Sequence, residues 1–212
     1  MTAVKPVTPS TVVRFLGEVD YETSWQQMQD FTDLRDVDSP DELWFLQHPP
    51  VYTLGKNAKA EHVLNPAEIP VINTDRGGQV TYHGPGQIIV YTLLDLSRLN
   101  MGIRQLVTIL EQSVIELLAD YGVESCARAD APGVYVNNAK IAALGLRVRK
   151  GRSFHGLALN VDMNLEPFNR INPCGYAGLE ITQLKNFVAD VDVGEVSEKL
   201  QRLLLKNLGL KI

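Results

Sequence analysis

Among the side chains able to do chemistry in this chain, one cysteine stands in unusual surroundings. Cys174 lies in RINPCGYAG, residues 170–178, with proline before it and glycine after it. Proline fixes its own φ and steers Asn172 away from helix, while Gly175 admits torsions closed to other residues. A rigid approach and a permissive exit can hold a thiol in one exposed orientation, with the Gly175 and Tyr176 amides as candidate oxyanion donors. The same surroundings suit a small hydrophobe buried at a turn, which is what free cysteine commonly is. Cys126, in ESCARAD beside a predicted strand, fits that second description better.

An unperturbed thiol titrates at about 8.5, so a nucleophilic Cys174 needs a cation or a base from elsewhere in the chain. Lys140, His83 and His155 are the candidates. Lys140 opens the strand-like KIAALGLRVR, and the four residues after it are apolar. At such a rim it is either partly desolvated beside a thiolate or simply snorkels from a strand end. His155, in SFHGLALN, and His83, in VTYHG, each read singly as hydrogen-bonded structural histidines. His48 and His62 fall in predicted loops, and no metal-ligand spacing is present.

The segment DRGGQVTYHGPGQ, residues 75–87, offers a wall rather than a nucleophile. Gly77 and Gly78 let backbone approach a ligand or turn sharply. Strand alternation puts Gln79, Thr81 and His83 on one face and Val80 and Tyr82 on the other. The segment reads either as a hairpin with a polar outer face or as a pocket wall with Arg76 available to an anion. Gly145 and Gly156 remove side chains from two further strands, which suits a narrow apolar slot or close backbone packing.

The elements that must position these residues follow from hydrophobic period. TVVRFLGEV, ELWFLQ and VYTLG read as strands, IPVINTD as a buried strand, and QVTYH and QIIVYTLLDL as two more joined by Gly84-Pro85-Gly86. Residues 21–37 read as a helix through Trp25, Met28, Phe31 and Leu34. Gly102 to Tyr121 carries a helical apolar face that includes Leu106, Leu110, Val114, Leu117 and Leu118, with Gly122 as its stop. GVYV and KIAALGLRVR form a predicted hairpin about Asn137-Asn138, SFHGLALNVDM is a strand, and GEVSEKLQRLLLKNLG is an amphipathic helix.

Length and composition set the outer bounds. With 212 residues, 45% of them hydrophobic, the expectation is one domain over residues 11–212 behind a loose tail at 1–10. Net charge of -5 argues against a general nucleic-acid surface. Two cysteines do not make a disulfide framework, and neither an apolar leader nor a membrane-length apolar run is present, so a cytoplasmic protein is expected. The fold class is α+β, a mixed sheet with helices.

Taken together and in order, RGGQVTYHGPGQ, AKIAALGLRVRKG, SFHGLALNV and RINPCGYAG resemble the lipoyl(octanoyl) transferase family, also called lipoate-protein ligase B. The resemblance implies the catalytic-domain fold shared by biotin and lipoate protein ligases, a mixed sheet flanked by helices. It implies an acyltransferase that moves octanoyl from octanoyl-acyl carrier protein to a specific lysine of lipoyl domains, in 2-oxoacid dehydrogenase complexes and the glycine cleavage H protein. Carried over by motif, Cys174 is the acyl-thioester residue and Lys140 its partner. The implied acyl pocket comprises Arg76, Gly77, Gly78, Gln79, Val80, Thr81, Tyr82 and His83, then Ala143, Leu144 and Gly145, then Gly156, Leu157 and Ala158.

The resemblance further implies no ATP, metal or other cofactor, since exchange between thioesters is nearly neutral in energy. A monomer is expected, with no nucleic-acid or membrane partner. Arg147, Arg149, Lys150 and Arg152 form a basic cluster that either docks an acidic partner or is a solvated hairpin end. Two other readings compete: an ATP-dependent lipoate or biotin ligase of the same fold, against which the cysteine motif argues, and a non-catalytic module that binds lipoyl domains.

Overall fold

The computed structural model describes residues 10–212. All but Ser10 of the expected tail therefore lies outside the described residues. Ten strands and three longer helices are present among the described residues: β1 (Val12–Glu18), α1 (Tyr21–Leu34), β2 (Glu42–Gln47), β3 (Val51–Leu54), β4 (Val71–Asn73), β5 (Val80–His83), β6 (Gln87–Leu93), α2 (Ile103–Asp120), β7 (Cys126–Ala127), β8 (Gly133–Val136), β9 (Ala139–Arg149), β10 (Arg152–Asn160) and α3 (Val193–Leu208). They form a seven-stranded sheet in the order β1-β2-β6-β10-β9-β8-β7 and a three-stranded sheet in the order β4-β3-β5. Two pairs are parallel, β1 with β2 and β3 with β4, so the expected mixed α+β architecture holds.

Strand alternation divides the large sheet into two unlike faces. Ile88 and Val90 of β6, with Leu157 and Leu159 of β10, pack beneath α2 and α3 against Leu106, Leu110, Val114, Leu200 and Leu204. Burial of each such side chain contributes about 1.5–3 kcal/mol before entropy is counted. The opposite face carries Ile89 and Tyr91 of β6 with Phe154 and Ala158 of β10, and α1 lies on it through Met28.

Three expectations are corrected here. Helix α1 stops at Leu34, because Arg35 is already extended, and Leu34 is 83% exposed, whereas Ser24 and Thr32 are buried. The strand at Val71–Asn73 is a short, largely exposed edge rather than a buried one. β5 and β6 are not a hairpin, since Gly84-Pro85-Gly86 carries the chain from the small sheet into the large one. At Gly86, φ is +85° and a side chain would overlap the Asp162 carbonyl, so glycine is required at that crossing. The remaining strands and helices fall where the sequence placed them, except β7, a two-residue strand that no pattern announced.

Candidate active site

Lys140 is the second residue of β9, and the chain fixes it from several sides. The β8–β9 turn uses Asn137 and Asn138, both left-handed at φ 48° and 70°, the conformation of a tight hairpin turn. The Lys140 N–H donates to the Glu180 carbonyl at 2.8 Å, and its carbonyl accepts from the Thr182 N–H at 2.9 Å. The side chain is not at a rim. The residue is only 3% exposed, and Nζ lies 5.2 Å from the centre of the Tyr135 ring.

Cys174 sits at the centre of a 3-10 turn, Pro173–Gly175, with φ 57° and ψ 13°. A non-glycine residue in this left-handed region carries about 1–2 kcal/mol of strain. Gly175 follows at φ +80°, and a side chain there would press on Gln79 and on His62 Nε2. The turn is held from His62, whose carbonyl accepts from the Asn172 N–H at 2.8 Å. These contacts present the half-buried Cys174 sulfur to Lys140, with Nζ donating to Sγ at 3.1 Å and to the Pro132 carbonyl at 3.1 Å. Burial pulls the Lys140 ammonium pKa down, but the Cys174 sulfur and Tyr135 outweigh it and hold the value above the ordinary one.

The two amides proposed as oxyanion donors are already engaged. Gly175 N–H donates to the Asn172 carbonyl at 2.9 Å and Tyr176 N–H to the Pro173 carbonyl at 3.0 Å. The cysteine comparison is also corrected: Cys126 is exposed on β7, and Cys174 is the less exposed of the two.

A cavity runs from Cys174 over the sheet, about 500 Å³ with its open mouth included. Register explains it. Ala143, Ala158 and Ile89 form one cross-strand row, and Gly145, Gly156 and Tyr91 form the next. Small residues in adjacent rows leave a trough in an otherwise filled face. The roof is the loop before β5, where Gly77 N–H donates to Leu146 carbonyl at 3.0 Å beyond the end of β8, pinning the loop to the free edge of β9.

Of the fourteen pocket residues expected from the sequence, Arg76, Gly78, Gln79, Val80, Thr81, His83, Ala143, Leu144, Gly145, Gly156, Leu157 and Ala158 line this cavity. Gly77 and Tyr82 do not. Gly77 anchors the roof, and Tyr82 turns away to pack on Tyr52 and Phe168. Lys140 is outside this cavity and meets Cys174 in a smaller one behind it, beside Pro173 and Ile181. Arg76 is buried and lacks a carboxylate partner among the described residues. Its guanidinium donates to the Thr53 carbonyl and hydroxyl and to the Gly77 and Gln79 carbonyls, so it braces the roof loop.

The histidines are walls rather than bases. His83 meets Gln87 at 2.8 Å and Thr53 at 3.3 Å, and His155 meets Asp75 at 3.0 Å. Burial drives both pKa values below the ordinary imidazole range, well below it for His83, so both are neutral at pH 7. The basic cluster is largely neutralised: Arg149 meets Asp33 at 2.9 Å, Arg152 meets Asp95 at 3.7 Å and Arg147 meets Asp75 at 4.0 Å. Among the described residues no group of three or more His, Cys, Asp or Glu is arranged to hold a metal ion.

Sequence reading missed several contributors. Tyr21, Ile89 and Tyr91 also line the cavity. Tyr21 is placed by the Asp20 cap that starts α1, where Asp20 accepts from Thr23 N–H at 2.9 Å. Glu111, on α2, is buried among apolar residues, and its position on the stripe of Val107, Val114 and Leu118 was the available signal. His62 reaches the Cys174 turn from a short 3-10 turn, Ala60–His62, that carries no periodic signature.

A family model described as the lipoyl protein ligase A/B catalytic domain matches residues 20–204. A protein from Stutzerimonas stutzeri called octanoyltransferase is 61% identical over 203 residues, covering 96% of this chain and 93% of its own length. One of the same description from Shewanella amazonensis is 60% identical over 197 residues, covering 93% and 91%. A crystal structure of lipoate-protein ligase A bound with ATP superposes with a TM-score of 0.80 at 16% identity, covering 96% of this chain and 87% of that one. That last likeness is one of fold.

Proposed function

Because the chain belongs to the lipoyl protein ligase A/B catalytic-domain family, with octanoyltransferases as its near relatives, we propose that Cys174 and Lys140 perform its transfer chemistry through a covalent thioester. The chain is an acyltransferase of protein lipoylation, moving octanoyl groups. The observation that carries the finer reading is the 3.1 Å approach of Lys140 Nζ to Cys174 Sγ at the end of a trough floored by small residues.

In the proposed first half-reaction the Cys174 thiolate, stabilised by the adjacent ammonium, attacks the carbonyl carbon of an octanoyl thioester. The new C–S bond to Cys174 forms, the C–S bond to the donor breaks, and the departing thiolate takes a proton from Lys140. In the second, the acceptor lysine ammonium loses one proton to Lys140 and one to solvent, and its nitrogen attacks the Cys174 thioester. The amide forms, the sulfur leaves as thiolate, and the thiolate–ammonium pair is restored. Amide formation makes the sequence downhill, so no ATP step is included.

Acyl carrier protein is the proposed donor and the lysine of a lipoyl domain the proposed acceptor. The octanoyl tail lies in the trough, where burial contributes about 0.8 kcal/mol per methylene. The test is transfer to a lipoyl domain from octanoyl-acyl carrier protein without nucleotide. Transfer from free octanoate that requires ATP would instead favour the ligase reading. No helix among the described residues is long and apolar enough to cross a membrane.

A further inference from the structure

One buried acid has no part in the chemistry described so far. Glu111 lies on the inner face of α2, 8% exposed, within a stripe that is otherwise apolar. Its Oε1 accepts a 2.8 Å hydrogen bond from the Gly133 N–H. The carbonyl of the same peptide group is that of Pro132, and it accepts from Lys140 Nζ at 3.1 Å. A single peptide plane therefore joins the Glu111 carboxylate to the Lys140 ammonium, and Lys140 continues to Cys174 Sγ at 3.1 Å.

We propose that Glu111 is a positioning residue for the Lys140–Cys174 pair, acting through the Pro132–Gly133 peptide. The inference rests on the reading of those two residues as the reacting pair. A carboxylate on the N–H side of a peptide polarises it and strengthens its carbonyl as an acceptor, and hydrogen bonds in such chains reinforce one another at low dielectric. The bond also fixes the orientation of that carbonyl. Without it the Pro132 carbonyl can rotate away, and the lysine loses the acceptor that aims it.

Crowding makes the arrangement sensitive. Gly133 has φ +141°, and a side chain there would lie 3.0 Å from Lys140 Cε and 2.7 Å from the Ala142 carbonyl oxygen. The peptide is thus packed directly on the lysine stem, and a shift of one moves the other. The charged and titratable groups around Lys140 Nζ are Cys174, Tyr135 and Glu111. Burial raises the Glu111 carboxyl pKa, while the Gly133 N–H and the Lys140 charge act against that rise.

The experiment measures iodoacetamide labelling of Cys174 against pH, and single-turnover acylation, in Glu111→Ala, Glu111→Asp, Glu111→Gln and Lys140→Ala, each in the Cys126→Ser background. Glu111→Ala removes the acceptor, and Glu111→Asp keeps the charge but shortens the arm. Both are expected to lower acylation about tenfold, the size of one charge-assisted hydrogen bond, and to move the labelling profile toward that of Lys140→Ala. Glu111→Gln keeps an acceptor oxygen and is expected to lose about threefold or less, the rescue that a neutral acceptor provides. In the Lys140→Ala background the Glu111 changes should add nothing, as residues acting as one unit do.

Labelling and acylation in Glu111→Ala or Glu111→Asp that match the parent would overturn the proposal, as would Glu111→Gln behaving like Glu111→Ala. If Glu111→Ala does not fold, Glu111→Asp and Glu111→Gln decide. If Lys140→Ala itself matches the parent, the paired reading of Lys140 and Cys174 fails, and this inference fails with it.

Discussion

Lys140 Nζ lies 3.1 Å from Cys174 Sγ although 34 residues separate them in the chain. β9 brings the lysine, a left-handed 3-10 turn brings the cysteine, and the Lys140 backbone is tied on both sides to Glu180 and Thr182. The pair is therefore built by tertiary structure, not by local sequence, and the energy of bringing a buried ammonium to a sulfur is met by fold contacts around it.

The first prediction concerns the lysine. Lys140→Ala is expected to slow iodoacetamide labelling of Cys174 at neutral pH by about tenfold or more, because the adjacent cation that favours thiolate is gone. Acyl transfer should fall further, by about 100-fold, since a proton donor and acceptor is lost as well. Labelling unchanged in this variant would remove the cation role.

The trough predicts chain-length selectivity. Ala158 stands in the row with Ala143 and Ile89, so Ala158→Leu places three additional carbons where the acyl chain is proposed to lie. Octanoyl transfer should fall by roughly tenfold or more, about 0.8 kcal/mol for each displaced methylene, while shorter acyl donors are retained. Competition between octanoyl and butyryl donors reads the change, and equal losses for both would count against this placement of the chain.

Acid stability follows from three buried histidines, His83 and His155 in the cavity wall and His48 packed behind His83. Burial takes His48 down to about 4 and lowers His83 and His155 as well. Each binds fewer protons folded than unfolded in this range, so stability rises with pH. The contribution is complete above the unfolded value of about 6.5 and is lost as pH falls through the lowered folded values. His48 alone accounts for roughly 3 kcal/mol at 1.36 per pH unit. Urea midpoints should drop between pH 7.5 and 5, and a flat profile would contradict the neutral, buried assignment.

The two thiols should separate cleanly. Cys126 is exposed on the two-residue edge strand β7, across from Tyr135. Cys126→Ser is expected to leave transfer within about twofold, as surface changes away from a site do. A large loss in that variant would show that the edge strand contributes to the site.

Much of this was legible in the sequence, and the exceptions share a cause. The Asn137-Asn138 turn marked the β8–β9 hairpin, and hydrophobic period found α2 and α3 because each buries one face over many residues. It overran α1, because the face that packs uses Ser24 and Thr32 while Leu34 points outward. It read β5 and β6 as adjacent, because Gly84-Pro85-Gly86 signals a turn without saying that the chain changes sheets. The glycine positions announced the trough, but only the register that pairs Gly145 with Gly156 and Ala143 with Ala158 makes it continuous. Glu111 and His62 act from a helix interior and a short 3-10 turn, where spacing to Lys140 or Cys174 carries no information.

The central claim is a thioester on Cys174, and intact-mass spectrometry after incubation with octanoyl-acyl carrier protein tests it most directly. One octanoyl group is predicted on the parent protein and on Cys126→Ser, mapped to the peptide containing Cys174 and released by a lipoyl domain, with none on Cys174→Ser. An adduct that persists in Cys174→Ser and vanishes in Cys126→Ser would contradict the account.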